Sequence, residues 1–348
     1  PLPDQNELKD LIKRIAFNTN SNLNEEDLNA LTVASSGLTE LKVKQVTAKA
    51  LTQRGKISKE DIEDILEEKK QVIARSEILE FFETKSSQDD IGGLKGLKVW
   101  LNQRYRAFSK EARKYGLPIP KGVLLVGAQG TGKSLTAKSI SKSWSMPLLR
   151  LDVGRLFSSL VGSSEARTRE TISRAEAMSP CILWIDEIDK GFGGDARSDG
   201  GTSQRVLASL LTWMAEKESA VFVIATANAI DKLPAELLRK GRFDEIFFLD
   251  LPNSEERLNI LDLHLKKRRP DYNFPLSTII DRTDGFSGAE LEQAVIEGMH
   301  ISFSENRELM EKDLIKAVSE LVPLSRTAKE QIDLLKEWSS TGRARSAS

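Results

Sequence analysis

Residues Gly127-Ala128-Gln129-Gly130-Thr131-Gly132-Lys133-Ser134 carry the spacing G-x-x-x-x-G-K-[ST]. A loop of this composition curls round a polyanion. Glycines at 127, 130 and 132 let backbone amides approach phosphate oxygens and permit positive φ. Lys133 then neutralises the β- and γ-phosphates, Ser134 offers a hydroxyl to Mg²⁺, and the helix that follows adds the positive end of its dipole. The chemistry predicted is the binding of a nucleoside triphosphate.

Hydrolysis needs an acid beside the γ-phosphate. The apolar run Ile182-Leu183-Trp184-Ile185 ends in Asp186 and Glu187. Asp186 at a strand end can hold Mg²⁺ through water, and Glu187 is placed to orient and deprotonate the attacking water. Asp189 reads as a solvated carboxylate or a helix cap. Asn228 closes the run Ile224-Ala225-Thr226-Ala227. Two readings stay open there: an amide that holds the attacking water, or one that caps a turn. Arg239 and Arg242 follow in Leu233–Asp244. An arginine presented to a neighbour's γ-phosphate stabilises charge in the transition state, which ties turnover to assembly.

These residues must be held by a scaffold whose period changes along the chain. Residues 1–85 repeat apolar side chains at helical spacing: Leu8, Leu11, Ile12, Ile15, then Leu28, Leu31, then Ile62, Ile65, Leu66. Asn24 and Ser58 stand before acidic first turns and read as helix caps. From Gly122 short apolar segments at 122–126, 148–153, 182–186, 221–226 and 246–251 alternate with helical ones. That alternation predicts an α/β fold: an αβα core around a five-stranded parallel sheet, with the phosphate loop after the first strand. Beyond Pro252 the pattern is helical again, at 255–265, 288–299 and 312–321. The domains expected are a helical segment 1–87, a nucleotide-binding core 88–252, a helical lid 253–325, and 326–348 as a C-terminal helix and disordered tail. The tail, 341–348, has only Ser, Ala, Gly, Arg and Thr and no apolar anchor. A weak internal parallel between 37–62 and 285–314 suggests that the N-terminal segment is the lid of a degenerate upstream module; two unrelated helix groups explain it equally well.

Charge and composition narrow the partners. Lys+Arg 51 against Asp+Glu 52 leaves a net charge of -1, so no general basic field argues for nucleic acid or an anionic membrane. The basic runs Lys266-Lys267-Arg268-Arg269 and Arg343, Arg345 read as solvated helix face and tail. The longest apolar runs, such as 220–227, fall well short of the roughly 20 residues that span a bilayer. The single Cys181 excludes an internal disulfide and reads as buried filler in a reducing compartment. The chain starts at Pro1 with no basic-then-apolar leader, which reads as a fragment boundary.

Taken in order, Asp89-Asp90-Ile91-Gly92-Gly93, the cradle, Asp186-Glu187, Asn228, 238–244 and Phe286-Ser287-Gly288-Ala289-Glu290-Leu291 resemble the AAA module of the AAA+ superfamily. The resemblance covers about residues 88–322. Gln129, 148–157, 177–190 with Trp184, 212–217 and 237–252 further resemble the cyanobacterial and plastid-encoded family of hypothetical chloroplast reading frame forty-six. The resemblance implies Mg²⁺-dependent ATP hydrolysis in a homo-oligomer, a hexameric ring first of all, that remodels or regulates a protein partner in the plastid stroma or cyanobacterial cytoplasm. It also implies that Asp90, Ile91 and Gly92 lie near adenine, that Ala128, Thr131 and Leu135 join the cradle, that His264 lies near the ribose, and that Gly288 and Ala289 lie under the nucleotide. By residue type alone, His264 reads as a half-buried packing histidine. Gly288-Ala289 stand where other clades of the superfamily place a sensing arginine.

The pattern departs from polypeptide-threading relatives at the first pore loop. They resemble an aromatic-apolar-Gly sequence, and this chain has Leu160-Val161-Gly162. The second loop, 191–201, is rich in glycine and reads either as a pore loop by position or as a plain surface loop. An alternative therefore stands beside the ring remodeller: a slow ATP-dependent regulatory switch that threads nothing.

Overall fold

The structure, a computed structural model, describes residue 3 and residues 5–74, 78–82, 92–157, 163–192 and 202–348. The chain divides into two compact units. Unit 1 comprises Pro1–Glu83, Met146–Ile185 and Gly194–Val223; unit 2 comprises Thr84–Ser145, Asp186–Gly193 and Ile224–Ser348.

In unit 1 the helical N-terminus is as the periodicity predicts. Helices Gln5–Asn18, Glu25–Ser35, Glu40–Arg54 and Asp61–Ala74 bury Leu8, Ile12, Leu28, Leu31, Val43, Val46 and Ile65 in one cluster. Asn24 caps as expected, accepting from the Asp27 amide at 2.7 Å. Ser58 does not: its hydroxyl has no hydrogen-bond partner among the described residues, and the Asp61 carboxylate accepts from the Ser58 amide at 2.8 Å instead. Asp61 is buried and pairs with Arg54, so the acidic side chain itself closes the turn. Cys181 is buried, and burial pushes its thiol up to about 12, which leaves it protonated and inert.

The strands are β1 Leu79–Phe82, β2 Gly122–Gly127, β3 Leu148–Leu151, β4 Cys181–Ile185, β5 Val221–Ala227, β6 Glu245–Leu249 and β7 Arg345–Ser346. The five expected from sequence are β2 to β6. Among the described residues the sheet holds seven, in the order β1-β3-β4-β5-β2-β6-β7, which corrects the five-stranded expectation. At one edge β1 runs antiparallel to β3, Leu79 opposite Leu151. It is a four-residue strand inside a mostly helical stretch, held partly by Phe82 packing edge-on against Trp184 at 5.7 Å. No periodicity develops over so few residues.

The other edge corrects the expected disordered tail. β7 runs parallel to β6, Phe247 opposite Arg345. Ala347 is fully buried; its amide donates to the Phe248 carbonyl at 3.0 Å, and its carbonyl accepts from the Leu97 amide at 3.0 Å. Backbone pairing and one methyl group do here what the composition led one to expect only of longer apolar segments. Ala347→Asp buries a carboxylate at this point and is expected to cost about 1–3 kcal/mol, read as a lower denaturant midpoint. Ser346→Asp, on the exposed neighbour, leaves the midpoint unchanged.

The remaining helices of unit 2 include Ser254–Arg268, Ser277–Arg282, Gly288–Ser304 and Glu311–Glu320, packed round Leu261, Leu265, Ile279, Leu291, Val295 and Leu314. Two start with a capping box, Asn253 with Glu256 and Ser287 with Glu290. Among the described residues no helix is long and apolar enough to cross a membrane.

Candidate nucleotide site

The site lies wholly within unit 2. β2 is buried along its length and delivers the chain into the loop Ala128–Gly132, after which helix Lys133–Trp144 begins. Gly132 provides no side-chain cap, so the first-turn amides keep their donors for an anion. Gly130 and Gly132 have the positive φ expected of the cradle, +79° and +92°. Gly127 is glycine for another reason: a Cβ there would lie 2.3 Å from the Leu249 carbonyl oxygen of β6.

The Lys133 ammonium is buried under this loop and donates to the carbonyls of Gly127 at 2.8 Å and Ala128 at 2.6 Å. Burial pushes it down to about 8, opposed by the charges of Asp189, Asp186 and Glu187. Thr131 turns its hydroxyl to the Ala128 carbonyl at 2.8 Å. A cation held by two neutral carbonyls is poised to exchange them for phosphate oxygens, which offer full charge.

Strand ends bring the acids to the same place. Asp186 Oδ1 lies 3.1 Å from the Ser134 hydroxyl and accepts from Thr226 at 2.7 Å. Thr226 accepts in turn from the Glu187 amide at 2.8 Å. Glu187 has φ +50°, a left-handed backbone rare for a residue with a Cβ, and its Oε1 accepts from Asn228 Nδ2 at 3.0 Å. Asp189 is neither solvated nor a cap of its own helix. It is buried and accepts from the amides of Asn228 and Ala229, both at 3.2 Å, so it fixes the turn that carries Asn228. Asn228 is therefore capped by Asp189 through its backbone while its side chain reaches Glu187.

These groups surround a cavity of about 440 Å³. It is lined by Gln129 to Leu135, Asp186, Glu187, Thr226 and Asn228, by Gly92 and Leu94, by Asp250, Pro252, Glu256 and Ile260, and by Gly288, Ala289 and Glu292. The Ala289 amide donates to the Gly130 carbonyl at 3.2 Å, tying helix Gly288–Ser304 to the phosphate loop. His264 is not on the cavity wall; its Nδ1 lies 3.1 Å from Arg268 and 3.4 Å from Glu292, and Glu292 does line the cavity. Arg239 and Arg242 also lie off the wall. Arg239 is exposed, and the half-buried Arg242 has an Nε without a hydrogen-bond partner among the described residues. Asp90 and Ile91, the loop Leu160-Val161-Gly162 and residues 193–201 of the second loop lie outside the described residues.

A hydroxyl and a carboxylate 3.1 Å apart at the helix start form a hard-oxygen pair of the kind that suits Mg²⁺ completed by phosphate and water oxygens. No cluster of three or more His, Cys, Asp or Glu suited to a metal occurs among the described residues, and such a site needs none. Residues 123–251, which include the cradle, the acidic pair, Asn228 and both arginines, match the model of the ATPase family associated with various cellular activities, AAA. The AAA domain-containing protein ycf46 of Pyropia yezoensis is 50% identical over all of this chain and 71% of its own length. The chain belongs to the ycf46 family of AAA proteins. The ycf46 protein of Guillardia theta is 49% identical, over all of this chain and 69% of its own length. The ATP-dependent zinc metalloprotease FtsH of Cyanidium caldarium is 37% identical over 67% of this chain and 39% of its own length. Residues 6–76 of this ycf46-type chain match the model of the SpoVK-like AAA ATPase, second domain.

Sequence reasoning missed several residues of the site. Thr226 reads from sequence only as part of a strand, although a threonine two residues before the asparagine that follows that strand is a usable hint. Glu256 is visible as the third residue of a capping box; its Oε1 also accepts from the Leu94 amide at 3.2 Å and from the Ser348 hydroxyl at 2.9 Å. Nothing in the spacing marks Asp250, Ile260 or Glu292 as wall residues.

Proposed function

We propose that this chain hydrolyses ATP with Mg²⁺ and uses the cycle to remodel or regulate a protein partner from a homo-oligomeric, hexameric ring. The observation that carries the reading is the continuous network Ser134–Asp186–Thr226–Glu187–Asn228 at the mouth of the phosphate loop. In this reading Gly127, Ala128, Gln129, Gly130, Thr131, Gly132 and Leu135 cradle the phosphates, and Lys133 transfers its hydrogen bonds to the β- and γ-oxygens. Ser134 and Asp186 hold Mg²⁺, which when bound neutralises charge on those phosphates. Glu187 accepts a proton from the attacking water as its oxygen bonds to the γ-phosphorus and the bond to the β–γ bridging oxygen breaks, releasing ADP. Asn228 orients Glu187 and the water. Arg239 and Arg242 act on a neighbour's nucleotide. Gly92 lies at adenine, His264 supports the ribose side through Glu292, and Gly288 and Ala289 close the floor.

The domain reading is likewise proposed: core 88–252, lid 253–325, and a helical segment 1–87 descended from the lid of an upstream module, which the match of 6–76 to a second-domain model supports. The algal relatives support a plastid stromal or cyanobacterial cytoplasmic setting. The slow-switch alternative is favoured by one observation, that both carboxylate oxygens of Glu187 are already engaged, Oε1 by Asn228 and Oε2 by Lys190 at 2.5 Å. Phosphate release measured across a protein dilution series, with Mg²⁺ and with excess chelator, tests the proposal. Turnover is expected to require Mg²⁺ and to rise per subunit with protein concentration; chelator-insensitive turnover, or a rate per subunit flat through dissociation, defeats it.

A further inference from the structure

The turn that follows the acidic pair places a lysine against Glu187. Ile188–Phe192 is a 3₁₀ helix, and the Lys190 amide donates to the Glu187 carbonyl at 2.9 Å. In a turn of this kind residues three apart share one edge. The Lys190 ammonium consequently meets Glu187 Oε2 at 2.5 Å, while Asn228 holds Oε1 at 3.0 Å. The left-handed backbone of Glu187 and the bond from its amide to Thr226 leave the carboxylate little freedom to move by main-chain rotation. Lys190 itself does not line the cavity.

We propose that Lys190 is a positioning residue that parks the Glu187 carboxylate in a resting state and thereby limits the rate of hydrolysis. The inference rests on the reading of Glu187 as the base. A carboxylate with one oxygen on an amide and the other on an ammonium must release one of them before it takes a proton from water. The ammonium is the partner to release, because it is the more exposed of the two: the Lys190 side chain is 69% accessible, whereas Asn228 is half-buried. An exposed pair of this kind is weak, so the restraint is a brake that thermal motion opens, and its removal has a bounded effect.

The test compares wild type with Lys190→Ala, Lys190→Arg and Glu187→Gln by steady-state hydrolysis over a range of ATP concentrations. Lys190→Ala is expected to raise kcat about two- to fivefold, the range set by an exposed ion pair, with KM for ATP unchanged. Lys190→Arg keeps the ion pair and is expected to keep the wild-type rate. A Lys190→Ala variant no faster than wild type, or a Lys190→Arg variant that behaves like Lys190→Ala, overturns the inference. If Glu187→Gln is inactive in the same assay, that failure belongs to Lys190 alone. If Glu187→Gln turns over like wild type, the reading of Glu187 as the base falls and the inference falls with it.

Discussion

Glu187→Gln is expected to lower ATP turnover by about 10²- to 10⁴-fold, the contribution of a positioned general base, while ATP still binds. The substitution is nearly isosteric. A glutamine oxygen can still accept from Asn228 Nδ2, so the backbone turn at φ +50° and its support by Thr226 need not change. What disappears is the ability to take a proton and the ion pair with Lys190. In the proposed reading binding rests on different groups, the loop amides, Lys133 and the Ser134–Asp186 pair, with which Glu187 makes no hydrogen bond through its carboxylate. Titration with a fluorescent ATP analogue beside phosphate release separates the two quantities. Equal loss of binding and turnover points to a collapsed site, and retained turnover removes Glu187 from the chemistry.

Arg242→Ala is expected to cost about 10³-fold or more in turnover, with a much smaller change in ATP affinity. Arg242 is off the cavity wall of its own chain, and its Nε is buried without a partner among the described residues. In the proposed assembly the terminal guanidinium nitrogens of Arg242, rather than the buried Nε, would meet the developing charge on a neighbour's γ-phosphate. Mixing provides the sharper readout. Arg242→Ala subunits keep Glu187, and Glu187→Gln subunits keep the arginine, so a mixed assembly pairs an intact base with an intact finger and regains activity. If Arg242→Ala alone hydrolyses as fast as wild type, or if mixing restores nothing, sites are not shared between subunits.

Much of this site was legible before any fold was known, because phosphate chemistry tolerates few solutions. The cradle demands glycines and a lysine at fixed spacing, and strand ends bearing Asp186, Glu187 and Asn228 mark where a parallel sheet places ligands. Of the five central strands, β2, β4 and β5 are buried along their length and read as continuous apolar runs, while β3, interrupted by Arg150, and β6, which begins at Glu245, are legible from their shorter apolar segments. The two edge strands are not. β1 is four residues long, and β7 is two polar residues followed by Ala347, so neither bears a period or a composition to read. Their stability comes from the partner's open backbone edge, a property of the assembled sheet.

The sequence by itself determined the kind of ligand, the family and the identity of the principal charged groups, since each follows from local spacing along one strand–loop–helix unit. Only the tertiary structure decided which groups touch. Asp189, read as a solvated carboxylate or a helix cap, supports Asn228, His264 lies behind Glu292, and Lys190 rests on Glu187. These outcomes depend on strand ends and turns converging from distant parts of the chain, and hydrogen bonds between them are set by fractions of an ångström that no pattern of residue types encodes.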